Sequence, residues 1–164
     1  MRDSKYIGIL NSVFSSHMEL KIENERTEVA LERVSEPAAS FAWLFGASYP
    51  HGFFRHAWRL LLMNHPHDSI CGCSIDQVHR EMMPRFQRAQ QVSAEVGKRA
   101  ATQLGQEINT AAAPKGYEDS RWLPLVVVNP LNAQRGQEIN FNADWELAEG
   151  EEPTRQFKLV DEAG

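Results

Sequence analysis

Basic charge is in the minority: seventeen Lys and Arg stand against twenty-two Asp and Glu, a formal net charge of −5 at pH 7. The cations are scattered, so no electropositive stripe exists to follow phosphates, and no nucleic acid partner is expected. Long apolar runs are also missing. Leu60 to Met63 and Leu125 to Val128 hold four residues each, against the roughly 20 that cross a bilayer. No apolar signal-peptide stretch follows Met1 to Lys5, so no membrane association is expected. Cysteine is scarce as well: there are two, Cys71 and Cys73. One residue apart, they cannot tie distant parts of the chain together, and a bridge between them would be strained. A reducing, cytoplasmic setting fits that usage.

What remains is a 164-residue chain of ordinary hydrophobic content, 42%, the size of one domain or of one domain and the start of another. From about Ser16 to Phe45, Leu20, Thr27, Leu31, Val34, Ala38, Phe41 and Phe45 recur at steps of mostly three and four with charges between them, which predicts an amphipathic helix. Pro37 lies inside the pattern and predicts a kink or break near Glu36. Gly46 to Gly52 reads as a connector. A second helix is predicted from about Phe53 to Asn64 on the stripe Phe54, Trp58, Leu61 and Leu62, ended by Pro66. Ser74-Ile75-Asp76-Gln77 has the form of a capping box. The helix it would open carries Val78, Met82, Phe86, Ala89, Val92, Val96, Ala100, Leu104 and Ile108 on one face, with a bend near Pro84.

Three helices sharing one apolar stripe through short links predict a mainly α fold, an antiparallel three-helix bundle over residues 1–110. Past Asn109 the texture changes. Residues 111–122 read as a linker, and Leu123 to Val128 as a short strand ending in a turn at Asn129-Pro130. Weaker strand patterns lie at Gln137–Phe141 and Phe157–Val160. So few strands make only an incomplete β-segment, since a sandwich or barrel needs about seven or more.

The chemistry is concentrated between the second and third helices. His65-Pro66-His67-Asp68-Ser69-Ile70-Cys71-Gly72-Cys73-Ser74-Ile75-Asp76-Gln77 places two histidines, two acids and two cysteines within thirteen residues. Here an imidazole beside a carboxylate could ligate zinc, although catalytic zinc takes three or more protein ligands from different parts of a fold. Several other readings stand beside this one. The histidines could cap the second helix while Asp68 and Asp76 serve the dipole of the third. Cys71 and Cys73 could be small buried residues of a tight turn. A His2Cys2 site closed within the loop would be cramped. A His-Asp doublet also occurs in metal-dependent phosphohydrolases, but the Ser-Ile-Cys-Gly-Cys turn is wrong for a doublet held on a helix.

The run NHPHDSICGCSIDQVHREM, Asn64 to Met82, resembles the His-Asp segment of glycoside hydrolase family 38 α-mannosidases, particularly the bacterial ones. SSHMELKIEN (Ser15 to Asn24), LERVSEP (Leu31 to Pro37) and AWRLLLMNHPHD (Ala57 to Asp68) fall in that family's order and spacing, so the resemblance covers roughly residues 6 to 110.

The resemblance implies that the chain opens at the end of an N-terminal catalytic domain whose main part is missing here, that the three-helix domain follows, that the loop at 64–74 reaches the active site, and that 123–164 begins a C-terminal β-sandwich. It implies one zinc ion with His67 as a ligand and Asp68 as a contact to the hydroxyls of an α-mannoside substrate. It also implies a retaining mechanism whose nucleophile and acid/base lie upstream, so that no catalytic carboxylate is expected here and the chain alone should be inactive. Three positions depart from the family pattern. Pro66 stands where many members have a second histidine, Ser16-His17 where Ser-Arg is common, and Gly72-Cys73 where Gly-Thr is. An apolar face left open on the bundle would favour a homo-oligomer. The alternative function is a non-catalytic helical interaction module whose His/Cys loop is structural.

Overall fold

The first helical segment is one rod with a widened middle. The computed structural model, which describes residues 11–110, 122–134, 136, 138–140 and 159, runs helically from α1 (Met18–Glu28) through a π-helical stretch (Val29–Ser35) into α2 (Glu36–Leu44). Proline lacks the donor an α-helix needs, and its ring crowds the carbonyl four residues back. A π-helical turn directly ahead of Pro37 opens that crowded step, so the chain passes the proline with Glu36 still at helical φ −64 and ψ −47. The predicted break does not occur.

The widened turns shift the buried face by about one residue. Ser35, Ala39 and Ala42 are buried, while Val34, Phe41 and Phe45, assigned to the stripe by a strict α period, are exposed. The rod ends at Gly46, whose φ of 96° suits a residue without Cβ. Ala47 N–H bonds the Ala42 carbonyl and Gly46 N–H that of Trp43, both at 3.0 Å. Those two bonds are the Schellman pattern that closes a helix C-terminus.

Two further helices complete the bundle: α3 (His51–Leu62) and α5 (Asp76–Gln106), with the five-residue α4 (His67–Cys71) between them. The arrangement is up-down-up. Gln90 of α5 donates to Thr27 Oγ1 at 2.9 Å and to Glu23 Oε2 at 2.9 Å, and Ser93 to the Ala30 carbonyl at 2.9 Å. The rod and α5 therefore ascend together. Trp58 donates to Glu36 Oε1 at 2.6 Å whereas His65, later in sequence, reaches back to Asn24, so α3 descends beside the rod. This is the bundle read from the sequence.

Every long segment buries its face against α5, where Met82, Phe86 and Ala89 are wholly inaccessible to solvent. The buried positions there are His79, Met82, Phe86, Ala89, Ser93, Val96, Ala100 and Leu104. His79 and Ser93 take places that hydrophobicity alone gives to Val78 and Val92. The reason is polar pairing for one of them: Ser93 Oγ also meets Ser35 Oγ at 2.9 Å inside the bundle. Ile108 is exposed. Asn64, fully buried at the end of α3, donates to the Met82 carbonyl at 3.0 Å and accepts from Arg85 at 3.3 Å, fastening α3 to α5 on both sides of Pro84.

The capping box is not formed. Ile75, in extended conformation, occupies the N-cap of α5 and no side chain caps it. Ser74 is held elsewhere, through its backbone N–H on the Asp68 carbonyl at 3.1 Å, which moves it off the cap position.

The chain divides into two compact units, Met1–Ile108 with Val128–Leu131, and Asn109–Val127 with Asn132–Gly164. No strand occurs among the described residues, and 122–130 carry no regular secondary structure. Apolar β-branched sequence becomes a strand only when a partner takes its N–H and C=O groups, and no described segment pairs with Leu123–Val128. The turn expected at Asn129-Pro130 is there, with Leu131 N–H on Asn129 Oδ1 at 3.2 Å. Of the linker only Trp122 is described and of Phe157–Val160 only Leu159, while 138–140, the middle of the Gln137–Phe141 pattern, carry no regular secondary structure.

Candidate functional site

Pro66 stops α3 and starts the next helical turn. Its φ of −47° and extended ψ of 134° place it at the N-cap of α4, and Gly72, at φ 83°, ends that helix after five residues. The His67-Asp68 doublet thus sits on one short helical turn and not on the irregular loop expected from the sequence. Backbone bonds fold the turn back on itself: Cys73 and Ser74 N–H both donate to the Asp68 carbonyl at 3.1 Å.

His67 and Asp68 face outward together. His67 Nε2 lies 3.1 Å from Asp68 Oδ1, and the two side chains are 90% and 62% exposed. Such exposure argues against a packing role, since a histidine that caps or braces a helix gives up solvent to do so. His65 points another way, donating from Nε2 to Asn24 Oδ1 at 2.7 Å with Glu28 Oε1 3.6 Å away. It braces α3 against α1, and the doublet stands without it.

Cys71 and Cys73 are free thiols. Cys73 is exposed, with Sγ 3.3 Å from Asp68 Oδ1. That hydrogen bond to the carboxylate is the main cause holding the thiol proton and raising its pKa above the ordinary cysteine value. Only the thiolate attacks an alkylating agent. Iodoacetamide is therefore expected to modify Cys73 slowly near pH 8 and faster as pH rises through the elevated pKa, and Asp68→Asn to react faster below that pKa, the two rates converging above it. Peptide mass mapping separates it from Cys71, and equal rates in the two proteins would refute the hold on the proton.

Among the described residues no group of three or more His, Cys, Asp or Glu side chains could hold a metal ion, so the compact His2Cys2 arrangement does not form. The exposed imidazole and carboxylate have the donor chemistry for part of a zinc site, two groups where four-coordinate zinc asks for more.

Beneath the doublet lies a buttress that sequence reasoning missed. Ser16 donates to the Gly72 carbonyl at 3.2 Å, and Lys21 Nζ reaches the carbonyls of Ile70 at 2.8 Å, Cys71 at 3.3 Å and Ser16 at 2.6 Å. A Cβ on Gly72 would fall 2.8 Å from Ser16 Oγ and 3.0 Å from His17 Cδ2, so only glycine admits this approach. His17, itself at φ 46°, donates to Glu19 Oε1 at 2.7 Å, which lowers the Glu19 carboxyl below its usual range. Its ring lies 4.2 Å from that of His79, and neither buried nitrogen of His79 has a hydrogen-bond partner among the described residues. These partners are some fifty residues or more apart in sequence, and nothing local marks them. Two signals were available: the Ser16-His17 departure inside a family segment, and a histidine at a core position of α5.

Residues 9–104 match the family described as alpha mannosidase middle domain. A putative mannosylglycerate hydrolase of Halalkalibacterium halodurans is 38% identical over 145 residues, 85% of this chain and 15% of that protein. Human alpha-mannosidase 2C1 is 32% identical over 84 residues, 50% of this chain and 8% of its own length. Among solved structures, a protein in glycosyl hydrolase family 38 from Enterococcus faecalis superposes with a TM-score of 0.62 at 43% identity, over 65% of this chain and 13% of that one. An alpha-mannosidase of the same organism gives 0.61 at 43% identity, over 63% and 12%. The chain thus spans about one seventh of the length of these relatives or less.

Proposed function

From the premise that this chain belongs to the alpha mannosidase middle-domain family of glycoside hydrolase family 38, we propose that it is part of a zinc-dependent, retaining α-mannosidase, in which His67 is a metal ligand and Asp68 contacts the sugar. In this reading residues 1–110 are the helical domain that brings the 64–74 segment to the active site, and 123–164 begin a β-sandwich.

The observation that carries the reading is the outward-facing doublet, two metal- and hydroxyl-binding groups 3.1 Å apart on a turn braced from behind. A structural loop, as in an interaction module, would bury such groups or pair them with the bundle. His67, together with groups on a preceding domain, would hold the zinc, and a zinc held there would supply Lewis-acid binding of sugar hydroxyls. The chain's own part is to orient. The Asp68 carboxylate accepts from sugar hydroxyls while its main-chain carbonyl, tied by two amides, fixes where that carboxylate stands. Double displacement needs a nucleophile and an acid/base carboxyl about 5 Å apart, and both are supplied from elsewhere in the enzyme.

The test is turnover of an aryl α-mannoside by the complete protein before and after chelation. Activity is expected to vanish when the metal is stripped and to return with zinc, while the 164-residue chain alone turns over nothing. Full activity after verified metal removal, or turnover by the chain alone, would sink the proposal.

A further inference from the structure

A five-residue helix cannot hold its own shape. Its last carbonyls have no partners within the helix, and isolated helices shorter than about 12–15 residues are marginal in water. Yet α4 carries both His67 and Asp68 on side chains that are largely in solvent, where packing does not fix their direction. Whatever sets the path of this turn sets where the imidazole and the carboxylate point.

The three carbonyls that leave α4 are all taken by the short segment Ser16 to Lys21, which leads into the rod and forms its first turn. Ile70 and Cys71 accept from Lys21 Nζ, and Gly72 accepts from Ser16 Oγ. An ammonium has three protons to give, and here all three go to backbone oxygens, the third being that of Ser16. Lys21 thereby binds the two segments to each other at 2.6, 2.8 and 3.3 Å. Its positive charge also stands at the carbonyl end of the helix, the favourable end for a cation. Gly72 lets Ser16 approach closer than any Cβ would allow.

We propose that Lys21 and Ser16 are positioning residues for the His67-Asp68 doublet: they fix the backbone of the turn on which metal and sugar are held. The role rests on the reading of that doublet as part of a metal and substrate site. Neither side chain belongs to the apolar core, where Leu20, Met82 and Phe86 hold α1 and α5 in place, so the clamp can be removed with the bundle intact. Outer groups that orient metal ligands commonly contribute 10–100-fold in metal affinity or activity.

The experiment compares wild type, Lys21→Met, Ser16→Ala and His67→Ala in the complete protein, by zinc calorimetry and, in the metal-free state, by amide hydrogen exchange. Lys21→Met is expected to weaken zinc about 10–100-fold and to speed exchange at the Gly72, Cys73 and Ser74 amides while α5 around Phe86 stays protected. Ser16→Ala should shift both in the same direction by a smaller factor. If Lys21→Met does not fold, Ser16→Ala decides alone: weaker zinc with faster exchange supports the clamp, and wild-type values overturn it. Unchanged zinc affinity in both variants, with His67→Ala still abolishing binding, overturns positioning and leaves the site standing. Unchanged binding in His67→Ala overturns the site itself, and the proposal falls with it.

Discussion

Replacing His67 by alanine in the complete protein is expected to cut turnover of an α-mannoside at least about 100-fold without loosening the fold. Each tenfold in rate is about 1.4 kcal/mol of barrier, and a metal-held substrate draws several kcal/mol of transition-state stabilisation from its metal. If His67 is such a ligand, its loss is large on the kinetic scale. It is small on the stability scale because the side chain is 90% exposed and touches little besides Asp68, and surface changes of that kind stay within about 0.5 kcal/mol. Steady-state kinetics and a urea titration on the same two preparations separate the scales. Wild-type turnover by the variant would remove His67 from the metal. A loss of activity matched by a loss of fold would mean the side chain acts as a brace.

Phe86→Ala should do the opposite. Phe86 is the largest of the fully buried side chains, at 0% exposure in the middle of the cluster that gathers the rod, α3 and α5. Emptying such a site removes the transfer free energy of the ring and leaves a cavity, together about 3–5 kcal/mol. Small domains have only about 5–15 kcal/mol in all, so the midpoint of urea unfolding should fall by a large fraction. Val34→Ala, on the exposed flank of the π-helical stretch, is the control and should move it by less than about 0.5 kcal/mol. A Phe86→Ala shift no larger than that of Val34→Ala would mean the core is not centred on α5.

The helices were legible because repeats of three and four among Leu20, Leu31, Phe54, Leu61, Met82 and Phe86 need only local spacing, and those residues are indeed buried. The phase of the first helix beyond Leu31 was not, because a π-helical stretch ahead of Pro37 breaks the constant period on which such reading depends. Ser74 had the right neighbours for a capping box, but its backbone bond back to the Asp68 carbonyl decided its position. At the candidate site, His67 and Asp68 stood out because adjacent residue types suggest a chemistry and a family segment surrounds them. The roles of Ser16 and Lys21 did not, although a family segment holds both, since a lysine in an amphipathic helix looks like any solvated charge until the turn it serves is folded against it.

The up-down-up path gives the domain a direction. Asn11–Phe14, His67 and the first turn of α5 gather at one pole, where Ser16 meets Gly72 and His17 meets His79. From there α5 runs 31 residues to Gln106, about 45 Å at 1.5 Å per residue. Gln106 therefore lies at the far pole of the bundle from the doublet. A label carried at Gln106 would stand clear of His67, whereas one carried at Ser16 would sit against the turn that bears it.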